Sequence, residues 1–267
     1  MEKSSLGFGS NFKKCLLGAA VTALAWTGCD IPHDNPLDPM NPASARPAKI
    51  MIEAFVNLRT GFPYDEYMVD ALDSLAALYP DLVVIAEYHK NVQNFLTPYH
   101  RDENEVLYRH YLDAIGSNLK GLPDVFINGT ESRIQGAADK ASAFFRLQQC
   151  VIARASAVGH FSIEIAAAVA GNQVTPQVTL ARLGNSDAEN LRVKAVLVSR
   201  IASPRYTRVV TGAVSGTEIG RLTRGQILKI SLPSMQADDS VPRELIAYVC
   251  DRDEKNIYQV EKIRIGE

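Results

Sequence analysis

The chain has 267 residues, a length that admits one or two domains of ordinary size. It is 46% hydrophobic and 22% charged, which excludes whole-chain disorder and a polytopic membrane protein. A net charge of −2 gives no basic field for nucleic acid, and four cysteines are too few for a disulfide-built scaffold of this size.

The first segment reads as an address. Lys3, Lys13 and Lys14 stand against the single acid Glu2, and residues 15–26, CLLGAAVTALAW, carry no charge. A basic region, a short apolar run and small residues at a cut site predict a secretory signal over 1–28. The run is too short for a bilayer core, which needs about 20 residues. Gly28-Cys29 resembles a bacterial lipobox, with Trp26 where that pattern prefers an aliphatic residue. The resemblance implies that Cys29 carries acyl chains of the palmitate class and anchors a lipoprotein in the cell envelope, the outer membrane being expected over the inner. Cleavage would leave a more acidic mature chain of net charge −4.

Residues 29–47 hold five of the 13 prolines and read as a Pro-rich tether, because proline and the residue before it resist helix. From 48 to 157 the pattern alternates. AKIMIEAFV (48–56) predicts a strand. Residues 64–79 predict a helix with Met68, Leu72, Leu75 and Tyr79 on one face. DLVVIAEY (81–88) is a near-continuous apolar run, the pattern of a strand buried on both faces. Residues 102–115 suit a second helix, with Asp102, Glu103 and Glu105 at its N-terminal end. PDVFI (123–127) and SRIQG (132–136) flank Asn128-Gly129 and predict a hairpin. Residues 137–155 predict a last helix with Ala141, Phe144, Phe145, Ile152 and Ala155 on its buried face. The order is β-α-β-α-β-β-α. From 160 to 267 the chain turns to short runs rich in β-branched residues and separated by Gly, Asn, Pro and Asp. This pattern predicts about seven strands in an antiparallel, immunoglobulin-like β-sandwich.

The first half resembles the thioredoxin fold. Gly121-Leu122-Pro123-Asp124 matches the segment that carries the cis-proline of that fold, so the resemblance implies a cis bond at Pro123. EYH (87–89), GLPDVFING (121–129), GTEIGRLTRGQ (216–226) and ELIAYVCDRDEKNIYQVEKI (244–263) together resemble a family of thioredoxin-like outer membrane lipoproteins typified by a 28-kilodalton Bacteroidales surface protein. The departure from that pattern is chemical. Thr60, Gly61, Phe62 and Pro63 fall where Cys-x-x-Cys belongs, with Thr60 and Pro63 in place of the two cysteines. Thiol exchange needs a thiolate, and neither residue supplies one.

The expected function is therefore non-catalytic binding of a protein or peptide at the envelope, through Thr60, Gly61, Phe62, Pro63, Leu122 and Pro123. An extended ligand can pair with main chain at such a turn. One alternative is a thiol-disulfide oxidoreductase that uses the displaced Cys150 and Cys250, which could also pair as a disulfide. Another is a structural surface protein or adhesin. His89, His100 and His110 lie among five aromatic residues between 86 and 111 and suggest a recognition surface, with His89 a candidate binding residue. No compact metal signature is present, no phosphate loop or dinucleotide fingerprint occurs, and neither metal nor cofactor is expected. The expected partners are the membrane lipid that receives the anchor and an unidentified protein or peptide.

Overall fold

The computed structural model describes residues 34–35, 38–201, 208–237 and 241–266. The signal segment and Cys29 lie outside these residues. From Asn35 to Glu267 the chain forms one compact unit. The described part is β-rich, with three helices.

The first half has the predicted order. Strand β1 (Arg46–Pro47) precedes β2 (Ile50–Val56), α1 (Pro63–Leu78), β3 (Val83–His89), α2 (Asp102–Ala114), β4 (Asp124–Ile127), β5 (Ser132–Gln135) and α3 (Lys140–Arg154). Every residue of β2, β3 and β4 is buried, as the continuous apolar runs require. β2 lies between parallel β3 and antiparallel β4, and β5 closes that edge. Within the segment read as a tether, residues near 44 are packed. Ser44 is buried and its hydroxyl accepts from Gly184 N–H at 3.0 Å, while β1 pairs with β6 (Val158–Gly159).

Side-chain alternation divides the interior into layers. Ile50, Ile52, Ala54 and Val56 of β2 face α1 and α3, where Met68, Leu72, Leu75, Ala143, Leu147 and Val151 complete one core. The buried face of α3 thus differs from the predicted one: Phe145 and Ile152 are exposed, and the stripe runs through Ala143, Leu147 and Val151. The sequence reading followed the bulky residues. The helix instead turns its narrower side inward, to where α1 already fills the sheet face. Asp139 caps it, accepting from Ser142 N–H at 2.8 Å.

The second half continues through β7 (Phe161–Ala170), β8 (Gln173–Arg182), β9 (Ala188–Ser199), β10 (Val209–Ala213), β11 (Thr217–Leu222), β12 (Ile227–Ser231), β13 (Met235–Gln236), β14 (Arg243–Asp251) and β15 (Ile257–Ile265). β7, β8, β12 and β13 form a four-stranded sheet. β9, β10, β11, β14 and β15 belong to the same nine-stranded sheet as β2–β5, joined where Val209 of β10 pairs in parallel with Glu87 of β3. β14 shows the consequence. Leu245, Ala247 and Val249 point to a core shared with β7 and β8, so two sheets pack face to face. Ile246, Tyr248 and Cys250 point the other way, into a third core with Met51, Phe55, Val84, Tyr88, Phe126 and the α2 residues Tyr108, Tyr111 and Leu112.

The Asn128-Gly129 turn closes this arrangement. The β4–β5 connection spans residues 128–131, longer than the two-residue turn that Asn-Gly favours. Its main chain is used across the molecule: Thr130 N–H donates to Lys255 O at 2.7 Å, and Ile257 N–H donates to Asn128 O at 3.1 Å.

Candidate functional site

The turn from β2 into α1 is organised by Asn57. Its side-chain amide donates to Lys90 O at 2.7 Å and Phe95 O at 2.8 Å, and its Oδ1 accepts from Arg59 N–H at 2.9 Å. One buried side chain thus ties the ends of β2 and β3 to the loop that follows β3. Gly61 takes a φ of +74°, which glycine adopts without a side-chain clash. Pro63 opens α1, where its missing N–H costs no helical bond. Phe62 is 58% exposed and Tyr64 48% exposed, and their rings stack at 6.2 Å. Below them Asp65 is 2% exposed and accepts from Asn57 N–H at 3.0 Å; burial pushes its carboxyl up to about 7.

The Leu122–Pro123 peptide bond is cis. Phe55 pairs with Asp124, so the same antiparallel register sets Pro123 opposite Val56, one residue before the Asn57 turn. Thr60–Pro63 and Leu122–Pro123 therefore lie at the same end of the sheet. Pro123 is buried and Leu122 half-buried. The segment is held from behind. Asp124, with no exposed surface, accepts from Arg133 Nε at 2.8 Å and Nη2 at 2.6 Å and from the Tyr108 hydroxyl at 2.9 Å. Arg133 also donates to Ser117 Oγ and Leu119 O, fixing the loop that leads to Pro123. Lys90 lies over the Tyr108 ring at 3.4 Å and pairs with Glu105 at 2.8 Å.

His89, read from sequence as a candidate binding residue, is a core residue. It ends β3 fully buried, packs edge-on against Tyr99 at 5.6 Å, and burial lowers its pKa to about 4. Its ring is neutral at physiological pH and presents no surface to a ligand. The bridge considered between Cys150 and Cys250 is not formed; both are free thiols. Their cores lie on opposite faces of the β2–β4 sheet, Cys150 against the α1–α3 side and Cys250 against the α2 side. Burial pushes the Cys250 thiol up to about 12.

Sequence reasoning missed a buried polar cluster beneath an open cleft. Glu53 of β2 has no exposed surface, and its carboxylate accepts from the Tyr88 hydroxyl at 3.0 Å and the Tyr111 hydroxyl at 2.5 Å. Burial raises its pKa above the usual carboxylate range, and it raises those of Tyr88, Tyr111 and Tyr248 as well. These phenols stay protonated near neutrality and act as hydrogen-bond donors rather than bases. The one signal in the sequence was an acid inside the apolar run IMIEAFV. Tyr88 and Tyr248 floor a cleft of about 740 Å³ between α2 and strands β9 and β14. Its charged walls are already paired: Glu254 meets Arg192 and Lys194, each at 2.5 Å. Among the described residues, no three His, Cys, Asp or Glu side chains group to hold a metal ion.

No family model and no curated protein matches the chain. Solved structures do match in fold. HBP35 of Porphyromonas gingivalis superposes with a TM-score of 0.60 at 10% identity, over 81% of this chain and 74% of that one. A structural-genomics protein of Agrobacterium tumefaciens superposes with a TM-score of 0.52 at 15% identity, over 83% of this chain and 96% of that one. The similarity therefore spans both halves of the described chain and is one of fold, including a protein from a Bacteroidales species.

Proposed function

We propose that this chain is a bacterial envelope lipoprotein, anchored through Cys29 in the outer membrane. In this reading a redox-inactive thioredoxin-like half (48–157), backed by an immunoglobulin-like sandwich half (160–267), binds protein or peptide without catalysis. The element order β2-α1-β3-α2-β4-β5-α3 with a cis-proline before β4 supports the fold assignment. The observation that carries the function is at the β2–α1 turn. From Asn57 to Pro63 there is no thiol, while Phe62 and Tyr64 offer stacked, exposed rings at the sheet end that holds Pro123. Exposed aromatics supply contact area at low entropic cost, and a rigid main-chain turn beside them suits an extended segment. The displaced-cysteine alternative draws no support from two free thiols in separate cores.

The test is photo-crosslinking in the producing cell. A photoreactive residue replacing Phe62 is expected to capture an envelope protein, and the yield should fall when Tyr64→Ala is added. Crosslinks arising only from a control position in the second half, such as exposed Ile227, would refute the assignment. Membrane partitioning of Cys29→Ala at the wild-type level would refute the anchor separately.

A further inference from the structure

Hydrogen-bonded strands flank β7 on one side only, and its Phe161 end is also covered by β15, where Gln259 Nε2 donates to Phe161 O at 3.4 Å and the Tyr258 ring stacks on Phe161 at 5.9 Å. β7 pairs with β8 along its whole length, from Phe161↔Arg182 to Ala170↔Gln173, and among the described residues no strand pairs with its other edge. The direction of its main-chain groups follows from β8. Leu232 N–H donates to Pro176 O and Ala237 N–H to Asn172 O, so the even-numbered residues here face away from β7. The odd-numbered residues of β8 then bond to β7, at Glu164, Ala166, Ala168 and Ala170. Ile163, Ile165, Ala167 and Val169 consequently aim their N–H and C=O groups outward.

Protein edges of this kind are normally defended by lysine, proline, a bulge or a covering element. From Phe161 to Ala170 the sequence FSIEIAAAVA has no lysine and no proline, and the ladder with β8 has no register shift. Glu164 is its one charge. The core row also runs out to this edge: Ile165 and Ala167 are only partly buried, and Val169 is 49% exposed.

We propose that β7 pairs antiparallel with β7 of a second copy of this chain, about a two-fold axis at Ala167. The strand is self-complementary in that register. Ala167 meets its copy, Ile165 meets Val169, Ala166 meets Ala168, and Glu164 meets Ala170. The two Glu164 carboxylates then lie six residues apart along the strands, about 20 Å, so no like charges oppose each other. Outward main-chain groups are bonded on both copies, and the row Ile165–Ala167–Val169 of each extends the other's core. The proposal is independent of the Phe62 surface.

The full chain, purified in density-matched detergent, is the material for sedimentation velocity. Wild type is expected to sediment as a dimer. Ala167→Pro removes an outward N–H while leaving the β7–β8 ladder intact, a strand context in which proline is tolerated. Ala167→Lys places like charges on the axis. Each is expected to raise the dimer dissociation constant by at least about tenfold with an unchanged far-UV spectrum. A monomeric wild type at every concentration reached would overturn the proposal. So would Ala167→Lys dimerising as tightly as wild type.

Discussion

Asp65 offers a sharp test of the electrostatics at the candidate site. It lies in the first turn of α1, 2% exposed, with Asn57 N–H donating to its Oδ1 at 3.0 Å. Burial raises its pKa from 3.8 to about 7. The folded state therefore holds this proton more tightly than the unfolded chain does. That contribution to stability is fully present below pH 3.8 and is lost as pH rises through about 7. A shift of about three units at 1.36 kcal/mol each corresponds to roughly 4 kcal/mol across that interval. Asp65→Asn is nearly isosteric, stays neutral and keeps the oxygen that accepts from Asn57. It is expected to be more stable than wild type by up to about 4 kcal/mol at pH 8, with the difference closing toward pH 4. Urea unfolding of both proteins at pH 4, 6 and 8 measures it, and other titrating groups cancel in the comparison. A difference that does not change with pH would refute the argument, as would a variant less stable than wild type at pH 8.

Other parts of the structure give further expectations. Arg133→Ala leaves the buried Asp124 carboxylate without its cation and frees the loop before Pro123. The expected cost is about 3–5 kcal/mol by chemical denaturation, partly restored by adding Asp124→Asn. Gly129→Ala meets two obstacles, a φ of +75° and a Cβ only 2.4 Å from Lys255 O. Because the clash is with main chain, it should destabilise by at least about 2 kcal/mol and lower the thermal midpoint. Thiol labelling of the folded protein should modify Cys150 well before Cys250, which reacts only after denaturant is added; equal rates would contradict the burial of Cys250.

Local pattern made much of the first half legible. The runs IMIEAFV and VVIAEYH are mostly apolar because both of their faces are covered, and a strand with that exposure leaves a clear trace. The trace of a helix is weaker. On α3 the sequence offers Phe144, Phe145 and Ile152 as the obvious apolar side. Of these only Phe144 packs on the core, at its margin; Ala143, Leu147 and Val151 are buried, and Phe145 and Ile152 are exposed. The site was half legible. Missing thiols can be read from residues 57–63 directly. The partners of Glu53, Tyr88 and Tyr111, lie 35 and 58 positions away on β3 and α2, separations that no local window contains, and the burial of His89 against Tyr99 depends on how the chain after β3 folds back. Glu53 itself was visible as a misplaced charge, but its meaning required Tyr88 and Tyr111.

Long-range packing also governs how function can be mapped. β14 and the second half of β9 (195–199) are buried on both faces, one by β7 and β8, the other by Phe55, Tyr88, Phe126 and the tyrosines of α2. Cutting the chain near Val158 would bare Val196, Val198, Ile246, Tyr248 and Val260 on one fragment, and Met51, Phe55, Val84 and Phe126 on the other. Large contiguous apolar surface of that kind binds indiscriminately and aggregates. A partner captured by either fragment could reflect the newly bared core as easily as a native surface. Single positions at the rim do not have this defect. Phe62 and Tyr64 at the β2–α1 turn are exposed, and Ala167 at the edge of β7 lies at the margin of its core, half-buried, so each can be altered without separating the two halves. The two surfaces are therefore separable by point substitution in the intact chain, and only there does loss of a partner report on the surface that was changed.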